Sequence, residues 1–92
     1  MASELRDRIE GEIQSEIESL RTARDELRVQ VHLGAAEVRE AWEKAEKSWQ
    51  HLEGRAKVLG EATQESLEEI GAAAKILAEE IRRGYEHVRK LL

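Results

Sequence analysis

Three histidines, His32, His51 and His87, are the imidazoles of a 92-residue chain that has no cysteine. A metal site on a helix needs ligands three or four residues apart, so that they share a face. At those spacings His32 has Arg28, Val29, Ala35 and Ala36. His51 has Lys47, Ser48, Gly54 and Arg55, and His87 has Arg83, Gly84, Lys90 and Leu91. None of these neighbours is a carboxylate or a second imidazole, and Glu-x-x-His is absent. The expectation is no metal site and no cofactor, with a metal held between different helices or subunits as the remaining route. The missing cysteines also remove a thiol nucleophile and any disulfide.

Carboxylates are plentiful, but pairs such as Glu68-Glu69 and Glu79-Glu80 sit in charged runs of the kind that solvate a helix face. Nucleophilic catalysis needs a base and a nucleophile brought together in a pocket, and this sequence offers few loop residues on which to build one. Gly-x-Gly-x-x-Gly and the P-loop pattern are absent, so no phosphate cradle is indicated. Tyr85, next to Gly84, reads as a packed edge residue. No catalytic residue is named, and the expected class is non-enzymatic.

Charge narrows the partners. Fifteen Lys and Arg stand against twenty Asp and Glu, a net charge of −5. Nucleic-acid binding relies on cations that displace counterions from phosphates, so nucleic acid is not an expected partner and an anionic membrane is disfavoured. The deficit is uneven. Residues 61–80 hold six Glu against Lys75, whereas residues 82–90 hold Arg82, Arg83, Arg89 and Lys90 against Glu86. Cations in a last helical turn complement the helix dipole. No run approaches the length of apolar sequence that spans a bilayer, and the first residues do not resemble a signal peptide. A cytoplasmic location is expected.

The elements that would carry these residues are helical. There is no proline, and Ala, Glu, Leu, Arg and Lys dominate. Apolar positions run Leu5, Ile9, Ile13, Ile17, Leu20, Leu27, Val31, Val38, Ala41 and Ala45, with Arg24 and Gly34 in register. From Ile13 the steps alternate four and three, a heptad. A second seam runs Ala56, Gly60, Thr63, Leu67, Ile70, Ala74, Leu77, Ile81, Gly84, Val88 and Leu91. The two are out of phase between about 46 and 60, where Gly54 and Gly60 also lie, and glycine commonly follows a helix end. Acid-first pairs four apart, including Glu40–Lys44 and Glu79–Arg83, add helix support. Leu27 to Leu33 alternates apolar and polar in the manner of a strand, but a lone strand has nothing to pair with. As helix, the stretch puts Val29 and Leu33 on a second apolar face.

The expected fold is therefore all-α: a long antiparallel helical hairpin, helices about 4–48 and 56–91 with a turn within about 49–60, pairing into a homodimeric four-helix bundle or coiled coil. Leu20, Leu27, Val31, Val38, Leu67, Ile70, Leu77 and Ile81 are expected to carry self-association, with Val29, Leu33 and Ile76 covered by the second copy. Burial rather than ion pairing would hold such an assembly, so salt should affect it little. Gly34 and Gly84 fall on the seams, where a missing side chain lets helices approach. Trp42 and Trp49, seven residues apart, share one face and either dock a partner or plug the bundle beside the turn.

The segment Asp25-Glu26-Leu27-Arg28-Val29-Gln30-Val31-His32-Leu33-Gly34, followed by Ala41-Trp42-Glu43 and Glu46, resembles a pattern in short, charged bacterial coiled-coil proteins. The likeness covers about a quarter of the chain. It implies a bacterial cytosolic helical protein, brings no activity with it, and includes His32, for which a buried, hydrogen-bonded core position is expected. The functional expectation is a structural or interaction protein acting through coiled-coil self-association or by binding another helical protein. An amphipathic lipid-surface or stress-protective helical protein is the first alternative, and a helical metal carrier or small enzyme the second.

Overall fold

The heptad steps from Ile13 to Val31 wind into one helix, but the same seam beyond Gly34 belongs to another. A computed structural model describes residues 2–92 and contains α1 (Ala2–Val31), α2 (Ala36–Leu59) and α3 (Gln64–Leu91). α2 runs antiparallel to the other two. α1 and α3 are parallel, since Ile9 lies beside Gly71, Glu12 beside Lys75 and Glu16 beside Arg82. The result is an up-down-up bundle of 50 × 17 × 16 Å. α3 packs most heavily on α2 and next on α1, while α1 and α2 touch least.

That arrangement explains which residues are inside. A helix wedged between two neighbours must bury a wider face than a coiled-coil seam. α3 accordingly buries two rows, Leu67, Ala74, Ile81 and Val88 together with Gly71, Ala78 and Tyr85. α1 contributes Ile9, Ile13, Ile17, Leu20, Leu27 and Val31, and α2 contributes Val38, Ala45, Trp49, Leu52 and Leu59. All of the side chains named, Gly71 having none, join one core.

The expected first helix of about 4–48 is thus two helices, joined by a turn at 32–35. Splitting there lets both α1 and α2 lay an apolar seam on α3, whereas an unbroken helix would leave one half uncovered. Gly34 serves this turn rather than a helix–helix contact. A Cβ on it would lie 2.8 Å from Val38 Cγ1. The expected turn within about 49–60 is helix up to Leu59. Gly54 is interior to α2, and Gly60 is its C-cap. The phase change marks no break: Trp49, Leu52, Ala56 and Leu59, at steps of three, four and three, form one inward stripe of α2. Gly84 does mediate a close approach, with its Cβ position 3.2 Å from Ala45 Cβ.

Helix ends are closed by groups far apart in sequence. Arg6 reaches from α1 to the end of α2, where its guanidinium donates to the carbonyls of Leu59, Gly60 and Ala62 at 2.9, 3.1 and 2.5 Å. Leu59 is the last residue of α2, and its carbonyl also accepts from the Ala62 N–H at 3.3 Å; Gly60 and Ala62 lie in the α2–α3 turn. α3 opens on Thr63, whose Oγ1 accepts from the Ser66 backbone N–H at 3.4 Å.

Candidate interaction surface

The sequence-predicted association residues divide into two sets. Leu20, Leu27, Val31, Val38, Leu67 and Ile81 are buried, and Ile70 and Leu77 are half-buried against the same core. Their apolar area is spent inside one chain, so they are not the surface a second copy would meet. Val29, Leu33 and Ile76 are exposed, at 68, 91 and 61%. Val29 points outward from the last turns of α1, and Leu33 lies in the α1–α2 turn. Ile76 is mid-way along α3.

Both tryptophans pack on the core. Trp49 is 2% exposed, which removes it as a docking residue. Trp42, half-buried, stacks on Tyr85 with ring centroids 5.8 Å apart and planes at 19°. Neither sits beside the expected turn, since both lie within α2. Arg24 fills the gap it makes in the α1 seam. Its Nε and Nη2 donate to the Glu46 carboxylate at 2.6 and 2.8 Å, and its Cζ lies 5.3 Å from the Trp49 ring centroid. Hydrogen bonding to Glu46 holds the Arg24 proton still more firmly than usual. Tyr85 is 1% exposed: burial pushes its phenol well above the ordinary 10.0, and its hydroxyl has no hydrogen-bond partner among the described residues. It touches Trp42.

The histidines do not converge. His32 is exposed in the turn, not buried in the core, because α1 ends one residue before it. His51 and His87 are exposed on α2 and α3. Among the described residues no group of three or more His, Asp or Glu is placed to hold a metal ion. No described helix is long and apolar enough to cross a membrane.

One face remains with both shape and chemistry. It is the shallow, open groove where α2 and α3 lie side by side away from α1. At one end Val58, Ala73, Ile76 and Leu77 line it with His51 and Gly54. At the other end Glu37, Glu40 and Lys44 of α2 face Glu80, Arg83 and His87 of α3. Val58 and Ile76 are the large apolar side chains exposed there, at 49 and 61%. On the opposite flank of α3, Lys75 and Arg82 are already committed to α1, at 2.6 Å from Glu12 and 2.5 Å from Glu16. The Lys75 ammonium, by hydrogen bond and charge, holds the Glu12 carboxyl below its ordinary 4.5.

Fold and surface define a three-helix up-down-up bundle with an exposed groove between α2 and α3. No protein-family model, curated protein or solved structure matches the chain.

Proposed function

We propose that this chain is a non-enzymatic structural protein that works by self-association, with the α2–α3 face as its contact surface. The observation that carries the reading is Ile76, 61% exposed in the middle of α3 beside the exposed Val58. Both lie on one groove with Ala73 and Leu77. An isolated chain gains little from an isoleucine there, where a charged residue would serve as well. A second copy laid on the groove would take the patch out of water. The bundle presents a side about 50 by 17 Å, room enough for the roughly 800 Å² per partner that a stable interface buries. The lipid-surface alternative draws less support, because the apolar seams of all three helices face inward and the chain is acidic.

The form of dimer differs from a pair of two-helix hairpins. Each copy would bring a finished three-helix core, so the pair would be a side-by-side contact of bundles. Sedimentation equilibrium of the purified protein tests this. The expected result is a concentration-dependent rise from 10.5 kDa toward twice that mass, abolished by Ile76→Lys with the helical circular dichroism intact. A wild-type chain that stays monomeric up to millimolar concentration overturns the reading, as does an Ile76→Lys variant that associates as well as wild type.

A further inference from the structure

The charge pattern of α3 fixes how two such faces would meet. The outer stripe of α3 on the groove side contains Ala73, Ile76, Glu80, Arg83 and His87, with Glu65 and Glu69 in line before them by helical spacing. Glu69 lies seven residues before Ile76 and Arg83 seven after it; Glu65 lies eleven before and His87 eleven after. Seven residues are two helical turns, so each pair shares a line along the helix with Ile76 at its centre. All of these but Ala73, which is half-buried, are exposed. Glu65, Glu69 and Arg83 enter no ion pair among the described residues, unlike Lys75 and Arg82 on the other flank.

We infer that the partner is a second copy of this chain, bound through an antiparallel, two-fold-symmetric α3–α3 contact centred on Ile76, with Glu69 of each copy against Arg83 of the other. This rests on the self-association reading and adds its register and its specificity. A two-fold contact is self-complementary: a residue a given distance before the centre meets the residue the same distance after it. Antiparallel about Ile76, Glu69 of each copy therefore meets Arg83 of the other, twice over, while Glu80 falls opposite the uncharged Ala72. Parallel pairing would set Glu69 against Glu69 and Arg83 against Arg83, and like charges held together disfavour that arrangement. Ile76 meets its own copy at the axis, and Ala72 and Ala73 are small enough to let the helices close around it.

The seams are used up inside each chain, so ion pairs supply much of what holds and orients the dimer. Salt then acts strongly, contrary to the expectation from the seams alone. Raising ionic strength from about 0.01 to about 1 M shortens the screening length from about 30 to about 3 Å, and association should fall by at least about tenfold.

Charge exchange tests the register. Sedimentation equilibrium would compare wild type, Glu69→Arg, Arg83→Glu and the double variant, with circular dichroism confirming that each stays helical. Each single change sets like charges together at both symmetric positions and should weaken dimerisation at least about tenfold. The double variant restores opposite charges in the same register and should recover to within about threefold of wild type. A dimer that depends on Ile76 but ignores these exchanges, or that the double variant fails to restore, overturns the antiparallel α3 contact while leaving self-association standing. A wild-type chain with no dimer at all overturns both.

Discussion

Arg24 and Glu46 close a two-pronged ion pair between α1 and α2, directly over the indole of Trp49. α1 and α2 have the fewest contacts of any helix pair, so this link is a large part of what joins them. Both side chains are partly buried, at 17 and 20% exposure, which limits screening by solvent. Hydrogen bonds to charged groups of this kind contribute about 1.5–3 kcal/mol.

Arg24→Ala should therefore destabilise the fold by about 1.5–3 kcal/mol in urea denaturation. Much of that loss reflects Glu46 left unpaired beside the core. Replacing both residues by leucine should bring stability back to within about 1 kcal/mol of wild type, since an apolar pair needs no desolvation to be offset. A double variant as unstable as Arg24→Ala would show that packing by the arginine stem, not the charge pair, carries the effect.

Arg6 gives a second long-range prediction. Its guanidinium is shared among three carbonyls at the end of α2. Arg6→Ala should cost about 1–2 kcal/mol and raise amide exchange in the last turn of α2, around Val58 and Leu59. Arg6→Lys should recover only part of the loss, because a single ammonium cannot span three acceptors with the geometry of a planar fork.

Tyr85 buries a hydroxyl that bonds to nothing among the described residues. An unsatisfied buried hydroxyl costs free energy that a phenyl ring avoids, so Tyr85→Phe should raise stability by about 1 kcal/mol at neutral pH. Alkaline pH adds a second signature. Burial raises the folded phenol above the ordinary value of 10.0, so the folded state keeps a proton that the unfolded chain releases. The stability tied to this group is whole below pH 10 and declines as pH rises above it. Tyr85 is the single tyrosine, so its phenolate absorption should appear together with loss of helix. The stability gap between Tyr85→Phe and wild type should widen above pH 10. Phenolate forming while the helices remain intact would contradict the buried placement.

Period-based reading of the sequence reaches the helices and most of the core but not the chain's turns. Leu20, Leu27, Leu67 and Ile81 announce themselves because a buried helix face repeats every three or four residues. The α1–α2 turn does not, since Gly34 keeps the heptad phase and Val38 continues the seam on the next helix. What ends α1 is tertiary: α3 has a second face to cover, and only a fold-back at 32–35 supplies it. Trp49, Leu52, Ala56 and Leu59 follow one another at three, four and three residues, so the two seams join through Trp49 on a single face of α2. Arg24 reads as a gap in an apolar stripe until Glu46, twenty-two residues on, is seen to meet it. Arg6 carries no local signal, because its acceptors are 53 to 56 residues away. Ile76 was visible as a surplus apolar residue off the seam, and the structure leaves it uncovered.

Three glycines separate helix propensity from close packing. A Cβ on Gly11, exposed in the middle of α1, would meet nothing within 4 Å. Gly11→Ala should therefore gain the propensity difference of about 1 kcal/mol. Gly84 carries the same propensity penalty, but its Cβ would lie 3.2 Å from Ala45 Cβ, an atom fixed to the α2 backbone that cannot swing aside. α2 and α3 would have to part beside the Trp42–Tyr85 stack, so the gain is cancelled and Gly84→Ala should be no more stable than wild type. Gly34 is tighter again, with Val38 Cγ1 and Cβ at 2.8 and 2.9 Å. Overpacking of this kind costs about 1–3 kcal/mol, and no positive φ is involved, so Gly34→Ala should be the least stable of the three. Urea midpoints at constant slope give the order directly. A Gly34→Ala protein as stable as wild type would mean that Val38 gives way to a Cβ at position 34 without cost.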